Sequence, residues 1–399
     1  MAVNLSPPDP TQLFPVPGIE LSYAMAGIKK PGRKDVLVMR LAPGATVAGV
    51  FTRNRFCAAP VLLAKHHLKG PVRALVVNTG NANAGTGKEG LKRALAVCNA
   101  VGKATQAKPT QVLPFSTGVI MEQLPADKIA NALPSLRAGS WLDAAEAIMT
   151  TDTVAKACSR KVKLSGGEAV VTGIAKGSGM IHPDMATMLS FVATDARVSR
   201  SNLQSMLKRV ADQSFNCITV DGDTSTNDAF MLIATGKGPS VSSRKDLSIL
   251  ENALTRVSQQ LAQAIIRDGE GATKFVTVTV ERGRNTAECR RIAYTIAHSP
   301  LVKTAFFASD PNLGRILCAV GYAGIKDLDT DRIDLFLDGV CVVKSGSRNA
   351  SYVESDALAA MKKPEFTVRV VLNRGRTSAT VWTCDFSYDY VKINAEYRS

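Results

Sequence analysis

The chain has 399 residues, 45% of them hydrophobic and 21% charged, the composition of a folded protein with room for two or three cores. Its 49 Lys and Arg outnumber 34 Asp and Glu, a net charge of +15. No block of five like charges occurs and only 6% of residues are aromatic, which argues against a nucleic-acid binder and for a basic surface that attracts anionic metabolites. The eight cysteines (Cys57, Cys98, Cys158, Cys217, Cys289, Cys318, Cys341 and Cys384) never stand closer than 23 residues apart. That spacing excludes CxxC zinc and redox motifs and predicts reduced thiols in a cytoplasmic protein. MAVNLSPPDPTQLFPVPG, residues 1–18, has neither the basic nor the apolar region of a signal peptide, and no apolar run is long enough to cross a bilayer. No membrane association is expected.

In chain order, the proline-rich residues 1–18 predict an extended arm. Apolar, β-branched runs predict strands at 35–41 (DVLVMRL), 72–78 (VRALVVN), 168–174 (EAVVTGI) and 189–196 (LSFVATDA). Between them, KEGLKRALAVCNAVGK (88–103) repeats Leu91, Leu95, Cys98 and Val101 at helical spacing, and SRSNLQSMLKRVADQSF (199–215) does likewise behind Ser199 or Ser201 as N-cap. The clearest helix is 246–269, with apolar positions at 247, 250, 254, 257, 261 and 265 and an Asp-Gly stop. From about 274 the pattern reads as strands with fewer helices: KFVTVTVE, RRIAYTIA, IDLFLDG, FTVRVVLN and SATVWTCDF. The fold class is mixed α/β (α+β), with a soft boundary near 280–290 between domains of 1–280 and 281–399, and antiparallel pairing in the second.

Two familiar motifs fail on inspection. NAGTGKEG (83–90) resembles a phosphate loop, but Ala82 stands where the first glycine belongs and Glu89 where Ser or Thr must bind magnesium. DGDTSTND (221–228) gathers carboxylates as a calcium loop would, with its glycine misplaced and Leu232 in the bidentate Glu position; a structural turn is the better reading. No metal site is expected. The four histidines, His66, His67, His182 and His298, stand near no GxSxG serine, so a Ser-His-Asp hydrolase is poorly supported.

KGSGMIHPDMATMLSF (176–191) raises a different chemistry. A Thr hydroxyl is a poor nucleophile without a base in reach. A free α-amine, with a pKa of about 7.7–8.0, is well matched to that task, and Thr187 can own one only if the Ala186–Thr187 peptide bond is cut. Gly177, Gly179 and Pro183 suit a tight turn before that bond, and Ala186 is small enough to leave its carbonyl open to attack.

This segment resembles the autoprocessing segment of the ornithine acetyltransferase (glutamate N-acetyltransferase) family. VVNTGNANAGTG (76–87), LPFSTGVI (113–120), AIMTTDT (147–153), SFNCITVDGDTSTND (214–228), RDGEGATKFV (267–276), VKTAFFASDPNLGRI (302–316) and INAEYRS (393–399) resemble family blocks in family order. The resemblance covers essentially the whole chain. It implies a layered αββα sandwich shared by an α chain of 1–186 and a β chain of 187–399, with a smaller C-terminal α/β domain, assembled as a heterotetramer of two α and two β chains. It implies acetyl transfer from N-acetylornithine to glutamate in arginine biosynthesis, without a cofactor, and with acetyl-CoA as a second donor in bifunctional members. Thr187 matches the nucleophile, Ala186 and Thr187 the cleavage bond, and Thr117 and Gly118 the oxyanion hole. Thr150, Lys176, Thr187, Glu270, Asn394 and Ser399 match substrate-contacting positions. Leu313 stands where Trp is usual, Ser399 where Thr is, His182 and Asp184 where Ala and Asn are, and Met121 where Gly is frequent. The rival reading is an N-terminal-nucleophile aminopeptidase or amidase on a related fold, passing the acyl group to water.

Overall fold

The computed structural model describes residues 2–182 and 188–396. The chain forms two compact units: Pro7–Asn216 with Thr224–Ile265, and Met1–Ser6 with Cys217–Asp223 and Ile266–Ser399.

In the larger unit, period-two alternation divides each strand between two interiors. One sheet orders its strands Val112–Val119, Ala74–Asn81, Val36–Leu41, Ile19–Ala24 and Arg137–Ala138; the other orders Thr46–Phe51, Ala229–Ala234, Leu189–Thr194, Gly167–Lys176 and Lys156–Leu164. Leu37, Met39, Leu75, Val77 and Phe115 of the first sheet meet Leu189, Phe191, Met231 and Ile233 of the second, with Phe115 and Phe191 edge to face at 5.0 Å. The intervening residues Val36, Val38, Ala74 and Val76 pack outward against Val97, Cys98 and Val101 of helix Gly87–Thr105. On the outer face of the second sheet, Phe230 meets Phe215 at 4.9 Å, and Gly173 lies against Val257 and Leu261 of helix Arg244–Arg267. The layers thus run helix, sheet, sheet, helix, the expected αββα arrangement. Strands from both sides of position 187 share the second sheet: Gly167–Lys176 pairs antiparallel with Leu189–Thr194, which pairs parallel with Ala229–Ala234. All six residues of each of the latter two strands are buried, as two covered faces require.

Two local expectations are corrected. The 88–103 helix buries Ala94, Val97, Cys98 and Val101, while Leu91 and Leu95 are about two-fifths exposed (42% and 41%); its small residues, not its leucines, face the sheet. RRIAYTIA belongs to helix Thr286–His298, not to a strand. Asn285 caps that helix by accepting from the Glu288 N–H, and Cys289, Ile292, Ala293, Ile296 and Ala297 repeat at helical spacing on its buried side. The expected N-terminal arm is tied down at Phe14 and Pro17: Thr172 Oγ1 donates to the Phe14 carbonyl at 2.7 Å and Thr235 Oγ1 to that of Pro17 at 2.6 Å.

The smaller unit carries a seven-stranded mixed sheet ordered Ile218–Thr219, Thr377–Cys384, Phe275–Gly283, Glu365–Val371, Asp334–Leu337, Val340–Lys344 and Ser347–Arg348. Pairing is not uniformly antiparallel, since Phe275–Gly283 runs parallel to Glu365–Val371. The unit also has more helix than expected, with Pro300–Phe307, Leu313–Gly321, Glu354–Lys362 and Tyr388–Ala395 besides Thr286–His298. Leu313, at the position where Trp is usual, packs half-buried on this core. Burial pushes the fully buried Lys303 ammonium down from its ordinary pKa. It donates to Thr383 Oγ1 at 3.0 Å and to the Cys384 carbonyl, with the Phe386 ring 4.6 Å away.

Candidate active site

The site in the larger unit is built at the end of strand Val112–Val119. Ala74–Asn81 runs parallel to it, placing Thr79 beside Thr117 and Gly80 beside Gly118, with an irregularity at Asn81. Gly118 has φ +135°, and a Cβ there would lie 2.3 Å from the Gly80 carbonyl carbon and 2.5 Å from Asn81 N. Only glycine fits. A network of asparagines holds this close approach. Ser116 Oγ donates to Asn78 Oδ1 at 2.6 Å, Asn78 Nδ2 to the Asn81 carbonyl at 2.9 Å, and the Asn83 N–H to Asn81 Oδ1 at 2.8 Å. Asn227 Nδ2 bridges the Ala82 and Ser116 carbonyls at 2.6 and 2.9 Å. The VVNTGNANAGTG block is therefore a scaffold for residues 116–118 and no phosphate loop, its side-chain amides satisfying buried backbone groups.

Thr117 is 9% exposed and faces Lys176, whose Nζ donates to Thr117 Oγ1 at 3.1 Å. Lys176, equally buried, ends its strand opposite Leu189. The two residues were expected in different roles, oxyanion donor and substrate contact, and the fold makes them direct neighbours.

Thr150 reaches the same neighbourhood through a residue that motif reading passed over. The buried Asp152 accepts from the Thr150 N–H at 2.9 Å through one oxygen, and from Gly177 N–H and Lys156 Nζ, both at 2.7 Å, through the other. Burial raises the Asp152 pKa, but attraction to Lys156 and Lys176 and the Gly177 N–H outweigh it and hold the carboxyl well below the usual range. Asp152 thus pins the loop of Thr150 to the strand end that carries Lys176. Its partners lie in an irregular loop and at a strand terminus, so no periodicity announced it; the AIMTTDT block was the only signal.

Asp228 was also missed. It precedes strand Ala229–Ala234, whose Ala229 N–H donates to the Met188 carbonyl at 2.8 Å. It is buried, and among the described residues Oδ2 has no hydrogen-bond partner. Burial raises its carboxyl pKa well above the ordinary value, and hydrogen bonds from Ser225 and the charge of Lys176 offset this only in part. The charge of Lys176 thus acts on two buried carboxyls that are shifted in opposite directions, Asp152 down and Asp228 up.

In the smaller unit, Asn394 Nδ2 donates to Glu270 Oε2 at 3.0 Å, bringing these two expected substrate contacts together. Gly271, at φ +68°, allows it: a Cβ would lie 2.4 Å from Tyr390 N, so a side chain would push helix Tyr388–Ala395 away. Burial pushes the Tyr390 phenol up, as do the nearby carboxylates of Asp221, Glu270 and Asp223. Ala186, Thr187, Asp184 and Ser399 lie outside the described residues. Met121 has φ +68°, the left-handed conformation that accounts for glycine being frequent there. Among the described residues, no three His, Cys, Asp or Glu side chains gather as a metal-binding group, and no helix is long and apolar enough to cross a membrane.

Two relatives from Neisseria meningitidis, from serogroup A strain Z2491 and serogroup B strain MC58, are each 58% identical to this chain over the full length of both, and each is named arginine biosynthesis bifunctional protein ArgJ. The chain is an acyltransferase of arginine biosynthesis. A crystal structure of an ArgJ protein from Bacillus halodurans is similar at 37% identity, covering 51% of this chain and 97% of that one, with a TM-score of 0.49. Another, of ornithine acetyltransferase from Mycobacterium tuberculosis complexed with ornithine, matches at 35% identity over 43% and 94%, with a TM-score of 0.37. The ArgJ family model matches residues 20–399, and the chain belongs to the ArgJ family. Acetyl transfer to glutamate, the activity implied by the motifs, is the activity of that family.

Proposed function

We propose that the chain cuts itself between Ala186 and Thr187 and that the freed residue then carries the acetyl group. Thr187 Oγ attacks the Ala186 carbonyl, and water resolves the ester. The α-amine so released takes the proton from its own hydroxyl in the next attack. N-acetylornithine gives its acetyl group to Thr187 Oγ, the amine returns the proton, and ornithine leaves. The glutamate amine then attacks the acetyl ester, yielding N-acetylglutamate and regenerating the hydroxyl. Thr117 Oγ1–H and Gly118 N–H stabilise the oxyanion of each tetrahedral intermediate. Thr150, Lys176, Glu270, Asn394 and Ser399 hold the amino-acid substrates, whose two charge signs match the Lys and Glu. No cofactor takes part, acetyl-CoA serves as a second acetyl donor, and the enzyme works in the cytoplasm as a heterotetramer of two α and two β chains.

The observation that carries this reading is the buried Thr117 hydroxyl, held against Lys176 next to a Gly118 that admits no side chain. Thr187→Ala tests it: the variant should remain one polypeptide and transfer no acetyl group. Ornithine release from N-acetylornithine should also depend on glutamate. Release at the same rate without glutamate would favour the aminopeptidase or amidase alternative.

A further inference from the structure

Lys176 and Thr117 share a hydrogen bond whose direction has a consequence. A lysine ammonium has only protons to give, so in the 3.1 Å contact Nζ is the donor and Thr117 Oγ1 the acceptor. A hydroxyl carries one proton and two lone pairs. With a lone pair committed to Lys176, the Thr117 proton must point elsewhere, and the side chain makes no other hydrogen bond among the described residues. A hydroxyl that is 9% exposed and has no acceptor for its proton among the described residues is unusual in a protein interior. An oxyanion donor likewise needs a proton that is not committed elsewhere before substrate arrives, in a site that need not reorganise when charge develops.

We propose that Lys176 is the positioning residue of this donor, fixing the Thr117 hydroxyl so that its proton faces the developing alkoxide, and strengthening it by drawing on the oxygen's electrons. This role rests on the acyl-transfer reading above and goes beyond Lys176 as a substrate contact. Hydrogen bonds in a chain polarise one another, and a cation at the head of the chain does so more than a neutral donor. Asp152 completes the device. Its carboxylate takes the Gly177 N–H at 2.7 Å, one residue beyond Lys176, and the Thr150 N–H at 2.9 Å. The end of the Lys176 strand is thereby fixed through the backbone, and a negative charge stands close to the ammonium.

The test is a double-mutant cycle on purified, cut enzyme: Lys176→Met, Thr117→Ala, the double variant, and Lys176→Arg as the charge-keeping control. Removal of one oxyanion donor costs about 100-fold in kcat, the loss expected for Thr117→Ala. Loss of the polarising cation should cost Lys176→Met about 10-fold in kcat, with Lys176→Arg recovering part of it. Because Lys176 acts through Thr117, the double variant should fall by about 100-fold, no further than Thr117→Ala alone. A double variant down by about 1,000-fold, the product of independent effects, would overturn the inference. So would a Lys176→Met enzyme with raised KM and unchanged kcat, the pattern of a residue that only binds substrate. For a variant chain that stays whole, the half-time of cutting replaces kcat in the same comparison, and cutting of Lys176→Met at the wild-type rate counts against the proposal. Thr187→Ala in the same series separates the two claims, since turnover by that variant removes the acyl-transfer reading itself.

Discussion

Gly118→Ala perturbs the site with the least chemistry, and the structure sets the magnitude. The added methyl would sit 2.3 Å from the Gly80 carbonyl carbon, 2.5 Å from Asn81 N and 2.7 Å from Gly80 Cα, where carbon atoms ordinarily approach to about 3.5–4.0 Å. All three atoms are backbone of a strand paired through the Gly80 register, so no side chain can swing aside. Holding Ala at φ +135° costs a further ~1–3 kcal/mol, and overpacking typically costs ~1–3 kcal/mol. The sum, about 2–6 kcal/mol, should lower the calorimetric melting temperature by on the order of 10 °C for a unit of this size. A misplacement of about 1 Å at an oxyanion donor should also cut acetyl transfer about 100-fold. Gly321→Ala is the control, because a Cβ there meets nothing within 4 Å at the end of helix Leu313–Gly321; it should stay within about 1 kcal/mol of the unaltered protein. A Gly118→Ala protein that melts and turns over like the unaltered one would refute the claim that backbone approach at this strand end builds the site.

Two carboxyl groups make opposite predictions with pH. Burial raises the Asp143 pKa, but hydrogen bonds from Lys34 and Ser140 outweigh it and hold the carboxyl at about 2, against an ordinary 3.8. A lowered folded value stabilises above the ordinary pKa and is lost as pH falls through the folded one; with solvent screening of this partly exposed pair counted, Asp143→Asn should cost about 1 kcal/mol at neutral pH and little near pH 2. An equal deficit at both ends of an acid titration of melting temperature would contradict this. Asp228 is raised by burial, so its stabilising effect is complete below the ordinary carboxylate value and declines as pH rises through its folded one. Asp228→Asn, which keeps the shape of the neutral acid, should remove that decline from melts taken between about pH 4 and about pH 9; an unchanged slope would show that the group does not titrate there.

The fold was legible wherever burial on two faces leaves a continuous apolar run. Strands Val36–Leu41, Gly167–Lys176 and Leu189–Thr194 lie close to their expected bounds, and Ser199 is the cap of helix Arg200–Asp212. It was least legible where packing overrode pattern. RRIAYTIA alternates well enough to suggest a strand, but the Asn285 cap and the Cys289, Ile292, Ala293 and Ile296 stripe make it helical. The smaller unit takes up Ile266 before the strand signal begins and draws in Cys217–Asp223 from elsewhere in the chain, a partnership that sequence order conceals. At the site, motif resemblance pointed to Thr117, Gly118 and Lys176 one by one. That Lys176 touches Thr117, or that Asp152 ties Thr150 to Gly177, follows from register across two sheets and has no signature in one dimension.

Acetyl transfer by this chain depends on a backbone break that gives Thr187 a free amine. Mass spectrometry of purified, active enzyme tests it most directly. Two polypeptides are expected, one ending at Ala186 and one beginning at Thr187, with no residual 42.4 kDa chain in the active fraction. Full acetyl transfer by the unbroken 42.4 kDa polypeptide would contradict it.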